Sequence, residues 1–166
     1  MRVSPNRYRI KPIAIDICSK SGAARSANSQ SEIVEITVDE ILRKHESLIV
    51  RYGGDSSNRS DDTNCVERSL AAAKQACYYA NEGRSDAAHV ASNLLFYLAK
   101  NHCFTDGNKR IAWAAAVEVL LRSGLQIAAT EIEAADFVLS VANDTRNREQ
   151  VLEWFAADGR LEAYRH

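Results

Sequence analysis

From Thr37 onward the apolar positions of the chain recur at helical spacing, and polar clusters divide them into segments. In "TVDEILRKHESLIVRYGG" the residues Ile41, Leu42, His45, Leu48 and Ile49 share a face, Thr37 and Glu40 stand at capping-box spacing, and Gly53-Gly54 suits a left-handed C-cap. The polar stretch "DSSNRSDDTN" leads into a second helix over about 63–81, with Val66, Leu70, Ala73 and Cys77 along one side. Ser85 caps a third, "DAAHVASNLLFYLAKNH", whose middle is apolar nearly all round and which therefore belongs at the centre of a bundle. A fourth, "KRIAWAAAVEVLLRSG", stops at Gly124 and carries Arg122 in its last turn, where a cation suits the helix dipole. Thr130 and Glu133 repeat the capping-box spacing before "AADFVLSVA", and "REQVLEWFAADG" supplies a last amphipathic helix. No pair of alternating segments reads as strands, so the expected fold is all-α, a helical bundle.

Residues 1–34 break this pattern. Arg2, Arg7, Arg9, Lys11, Lys20 and Arg25 face a single acid, Asp16, before position 32, and "SKSGAARSANSQS" has no apolar period, so a basic, flexible amino-terminal extension is expected ahead of a domain over 35–166. The piece "RIKPIAIDI" has the composition of a short strand. The extension reads as a solvated tail in preference to a nucleic-acid binder.

With 21 basic and 22 acidic residues the net charge is −1, so no global field draws the chain toward nucleic acid or a membrane, and any anion must be held by a local site. No stretch approaches the roughly 20 apolar residues that span a bilayer, and the amino terminus lacks a signal-like apolar run. Cys18, Cys65, Cys77 and Cys103 form neither a CxxC pair nor a cluster with histidine. Free thiols in a reducing cytoplasm are the expectation.

The loop between the third and fourth helices, "HCFTDGNKR" over 102–110, changes the picture. Asn108, Lys109 and Arg110 open a helix whose unpaired N–H groups and positive dipole end attract anions, and Gly107 leaves room for close approach of backbone to a bound group. Asp106 beside a phosphate makes sense if a magnesium ion lies between them. His102 is placed to take a proton from an attacking hydroxyl, and Phe104 pins the loop to the core. Singly, each group has a plainer reading: a helix-end histidine, an N-capping acid, a Gly-Asn turn, a solvated helix start. Together they describe phosphoryl or nucleotidyl transfer.

The stretch "HCFTDGNKRIAW" resembles the signature of the Fic/Doc family, H-x-F-x-[D/E]-[G/A]-N-[G/K]-R, with His102, Phe104, Asp106, Gly107, Asn108, Lys109 and Arg110 in register. "TVDEILRKHESLIVRYGG" is similar to the opening helix of death-on-curing (Doc) proteins, and "VERSL" and "ASNLLFYLAKNH" to their next two, so the likeness covers about 35–158. Lys109 and Trp113 stand where Fic adenylyltransferases usually carry glycine and arginine, which leans the chain toward the Doc type. Gly107 replaces an alanine of some Doc proteins conservatively, and the stretch that commonly reads "GIRD" there keeps Arg59 without the adjacent acid.

The resemblance implies a Fic/Doc-type helical bundle and a toxin of a toxin–antitoxin system. It implies transfer of the γ-phosphate of magnesium-bound ATP to a threonine or serine hydroxyl of a translation protein, elongation factor Tu, and so arrest of translation. His102 would be the general base, Asp106 the magnesium ligand, and Gly107, Asn108, Lys109 and Arg110 the phosphate contacts. A cognate antitoxin is the implied partner, with DNA reached only through it. The self-inhibitory pattern of many Fic enzymes has no match, since Thr145 and Glu149 are followed by Gln150. Fic-type transfer of AMP and a non-catalytic, nucleotide-sensing helical regulator are the alternatives. His45, His89, Trp113, Trp154, Tyr78 and Tyr79 read as packing, capping or rim residues.

Overall fold

The computed structural model describes residues 36–57, 61–80 and 86–164. The basic extension over 1–34, with its strand-like piece and Cys18, lies outside the described residues, as do Arg59 and Ser85. The described chain is all-α in architecture: α1 Val38–Tyr52, α2 Asp62–Ala80, α3 Ala87–Asn101, α4 Asn108–Arg122, α5 Glu131–Ala142 and α6 Arg148–Ala156. No described helix is long and apolar enough to cross a membrane.

Local sequence accounts for most helix ends. Thr37 with Glu40, and Thr130 with Glu133, form full capping boxes at α1 and α5. A third, Asn147 with Gln150, opens α6. Asp86 holds the N-cap of α3, its carboxylate accepting from the His89 N–H and facing the His89 ring.

The third helix is central, as its composition demands. Ala91, Leu94, Leu95, Leu98 and Ala99 are buried, and α3 packs on α2, α4, α5 and α6. Alanines 112, 114, 115 and 116 of α4 are buried too, and side chains that small allow the two backbones to approach closely. Ile111, Val119 and Leu120 fill the layer beside Phe137, Val141, Val151 and Phe155. Full burial of each large side chain contributes about 1.5–3 kcal/mol. Trp154 closes the far side, stacked on Phe137 at 3.9 Å and edge-on to Trp113 at 6.1 Å.

Two strands were not expected. Leu125–Ile127 (β1) pairs antiparallel with Leu161–Ala163 (β2) in a small ribbon. Gly124 turns the chain out of α4, and its carbonyl accepts from Tyr164 N–H. Each strand has three residues, too few for alternation to register, and the pairing is long-range.

Helices α1 and α4 are joined by an ion-pair network. Arg122 donates to Glu40 at 2.7 Å and to Glu118 at 2.8 Å, while Lys44 donates to Glu118 at 3.1 Å. The Arg122 guanidinium first, helped by the Thr37 N–H and hydroxyl and opposed by burial, lowers the Glu40 carboxyl from 4.5 to about 2. A depressed carboxyl stabilises the fold above its unfolded pKa and ceases to as pH falls through the folded value. A stability titration should therefore show a loss of about 1–2 kcal/mol between pH 4.5 and 2, after discounting for solvent screening, and Glu40→Gln should remove that component of the profile.

Candidate active site

The connection between α3 and α4, over 102–107, meets the end of α1 and the stretch that follows it. His102 is the C-cap of α3, exposed, with φ +46° and ψ +50°. A side chain in that left-handed region costs about 1–2 kcal/mol, so neighbouring contacts must hold it. Cys103 and Phe104 turn inward and are buried.

Phe104 anchors the loop as expected, and its partner is a residue that periodicity assigned only to packing. The Phe104 ring stacks on His45 of α1, centroids 3.8 Å apart at 12°. His45 Nε2 lies 2.7 Å from the Asp106 carbonyl oxygen. A carbonyl only accepts, so Nε2 carries the proton. One buried histidine thus fixes both the anchor and the backbone of the acid.

Asn108 closes the turn from the other side. Its Oδ1 accepts from Phe104 N–H at 2.9 Å and its Nδ2 donates to Phe104 O at 2.7 Å. The Asn108 side chain therefore staples the loop, and what it presents at the helix start is its backbone N–H, one of those preceding the first helical bond from Ile111 N–H to Gly107 O. Asn108→Ala should lower stability by about 1–3 kcal/mol and speed amide exchange over 103–107, measured by chemical denaturation and hydrogen exchange.

Asp106 stands at the centre. Its carboxylate accepts from Gly107 N–H at 2.5 Å and pairs with Arg110 at 3.2 Å. The Gly107 N–H first, and then the Arg110 charge and the Asp55 N–H, hold its carboxyl below the usual carboxylate range against a smaller opposing effect of burial. It is a carboxylate at neutral pH. Arg110 also donates to Gly53 O at 2.8 Å, and Thr105 Oγ1 donates to Ser57 O at 3.0 Å, so the chain after α1 wraps over the loop. Lys109 is exposed in the first turn of α4.

The two glycines flanking this arrangement serve contacts that sequence did not reveal. Gly53 ends α1 at φ +76° with an extended ψ of 166°, which is not the left-handed C-cap expected. At Gly54, φ +137°, an added Cβ would overlap Asp106 Oδ2 and lie 2.9 Å from Ile49 Cδ1. Gly107, φ +81°, would place a Cβ 3.1 Å from both His45 Nε2 and Ile49 Cδ1. Replacement of Gly107 by alanine is thus less conservative than expected, because α1 packs directly on it.

The cysteines overturn a second expectation. Cys65 of α2 and Cys103 are disulfide-bonded, Cα atoms 5.4 Å apart across a sequence separation of 38. Antiparallel packing of α2 on α3 brings the start of one helix beside the end of the other, a juxtaposition invisible in cysteine spacing. Cys77 is buried outside that bridge, its sulfur accepting from Asn93 Nδ2 at 3.6 Å.

Among the described residues no three His, Cys, Asp or Glu side chains cluster as a metal cage. One ionised carboxylate beside a basic helix start suits instead a magnesium ion that takes its other ligands from phosphate oxygens and water. The fold and site therefore define an all-α protein that sets an exposed histidine, an ionised carboxylate and a basic helix start on one inter-helical loop. A family model described as the Fic/DOC family matches residues 35–120, just over half the chain, and the chain belongs to that family. Over 57 residues it is 47% identical to a protein named Toxin Doc from Mycolicibacterium smegmatis, a match covering 34% of this chain and 39% of that protein.

Proposed function

We propose that the protein is a Doc-type toxin that transfers the γ-phosphate of magnesium-bound ATP to a threonine or serine hydroxyl of a translation protein, elongation factor Tu in the first instance. The observation that carries this reading is the loop over 102–107, which displays an exposed histidine at one end and an ionised carboxylate beside a basic helix start at the other. Membership of the family and the likeness to Toxin Doc support it.

In this reading His102 accepts the proton of the attacking hydroxyl as it closes on phosphorus. Asp106 holds the magnesium ion, which supplies charge neutralisation at the phosphate oxygens. The N–H groups of Asn108 and Lys109 at the start of α4, with the Lys109 ammonium, receive phosphate oxygens, and Gly107 leaves space for their approach. Arg110 keeps Asp106 aimed and contributes its charge to the same anion. Lys109 favours γ-phosphate over AMP transfer, since its side chain occupies space that a glycine would leave to the α and β phosphates. A cognate antitoxin restrains the toxin by laying a helix into a groove on its surface, and the protein acts in the cytoplasm.

Intact-protein mass measurement of elongation factor Tu after incubation with this protein, magnesium and ATP tests the reading. Gain of one phosphate is expected. Gain of AMP would establish the adenylyltransferase alternative, and an unchanged mass for every protein of a bacterial lysate would favour the nucleotide-sensing regulator.

A further inference from the structure

The residues on both sides of His102 are tied to one face of α2. Asn101 Nδ2 donates to Ser69 Oγ at 2.7 Å, and Cys103 is bridged to Cys65. Cys65 and Ser69 stand four residues apart, neighbours on a helix surface, and Ser69 Oγ in turn donates to the Cys65 carbonyl at 2.9 Å. The Asp106 end of the loop is tied elsewhere: to α1 through His45, to α4 through Asn108 and Arg110, and to the stretch after α1 through Thr105. The bridge therefore governs the placement of His102 separately from that of Asp106.

The surroundings are also prepared for the open form. Asn101 O lies 3.8 Å from Cys65 Sγ, and Ser69 Oγ lies 3.6 Å from Cys103 Sγ. Once reduced, each thiol has an acceptor in place, so opening the bridge strands no buried donor. Cys65 is only half-buried whereas Cys103 is 3% exposed, so an external thiolate reaches the Cys65 sulfur first.

We propose that Cys65–Cys103 is a redox latch on the His102 loop, opened by a dithiol reductant and closed again by a disulfide oxidant. A reductant thiolate attacks Cys65 Sγ. The Cys65–Cys103 bond breaks, and Cys103 leaves as a thiolate and takes a proton. The reductant's second thiolate then displaces Cys65, which is protonated in turn. Two electrons and two protons pass to the protein, and the reductant ends as its own disulfide. Closed, the latch holds His102 in its left-handed conformation; open, that residue relaxes and its alignment is lost. The effect falls on proton acceptance and leaves the phosphate-binding end unchanged. This last consequence rests on the transfer reading above.

The test holds the full chain in set ratios of reduced to oxidised dithiothreitol, followed by acid quench, alkylation and peptide mapping. Amide hydrogen exchange over 101–105 and label transfer from ATP are then measured in each state. Cys65 and Cys103 should switch together, exchange over 101–105 should quicken about tenfold on opening, and the transfer rate should fall about tenfold with half-saturation by ATP unchanged. Cys65→Ser should behave as the open form in either buffer and Cys77→Ser as the parent; wild-type reduction and reoxidation give the same comparison should a variant fail to fold. Absence of the bridge in oxidised dithiothreitol overturns the proposal. So do equal exchange and equal transfer in both states, with the transfer reading left standing. Redox-dependent exchange without transfer in either state sustains the latch and overturns the transfer reading instead.

Discussion

Substitution of His102 by alanine should abolish growth arrest and lower the transfer rate by about 10²- to 10⁴-fold, the usual contribution of a positioned general base, with thermal stability nearly unchanged. The side chain is exposed at a helix end, so its removal leaves no cavity. The backbone sharpens the contrast, because at φ +46° glycine is at ease where histidine is not. His102→Gly should match or exceed the parent's stability by up to about 1 kcal/mol and be equally inactive. Measuring the melting temperature and transfer rate of both variants separates chemistry from folding. Undiminished arrest by either would remove His102 from the mechanism.

Gly54→Val should cost both stability and activity, for reasons located at Asp106. The residue has φ +137°, and a Cβ there would overlap Asp106 Oδ2 and sit 3.1 Å from the Arg110 guanidinium. Backbone strain of about 1–3 kcal/mol adds to overpacking of similar size. The carboxylate is displaced and its pairing with Arg110 broken, so magnesium-dependent transfer should fall at least about tenfold by misplacement alone. Gly53 is the control, because nothing lies within 4 Å of a Cβ added there. Gly53→Ala should lose about 1 kcal/mol from its positive φ and keep its activity. Equal activity of the two variants in a folded state would show that the close approach of Gly54 to Asp106 is incidental.

What the sequence revealed follows from the range of the interactions involved. Capping boxes span three residues, so Thr37 with Glu40 and Thr130 with Glu133 were legible and are formed. Burial all round α3 was legible because composition and period carry it. The loop itself was legible because His102, Phe104, Asp106 and Arg110 fall within nine residues of sequence, and Phe104 is buried in it.

Contacts between distant segments were not legible. The β1–β2 ribbon pairs Leu125 with Ala163, and the bridge joins Cys65 to Cys103. His45 looked like one more position on the buried face of α1, and only packing of α1 on the loop puts its ring on Phe104 and its Nε2 on Asp106 O. Gly54 looked like helix punctuation, and only the fold brings Asp106 against it. Asn108 was assigned to phosphate by its place in the motif, while its side chain is engaged by the Phe104 backbone.

The measurement that bears most directly on the central claim is incubation of a bacterial lysate with this protein, magnesium and ATP labelled in parallel at the γ or the α phosphate, with His102→Ala alongside. The account predicts protein-bound label from γ-labelled ATP only, and none with the variant. Protein-bound label from α-labelled ATP, or γ label that persists in the His102 variant, would contradict it.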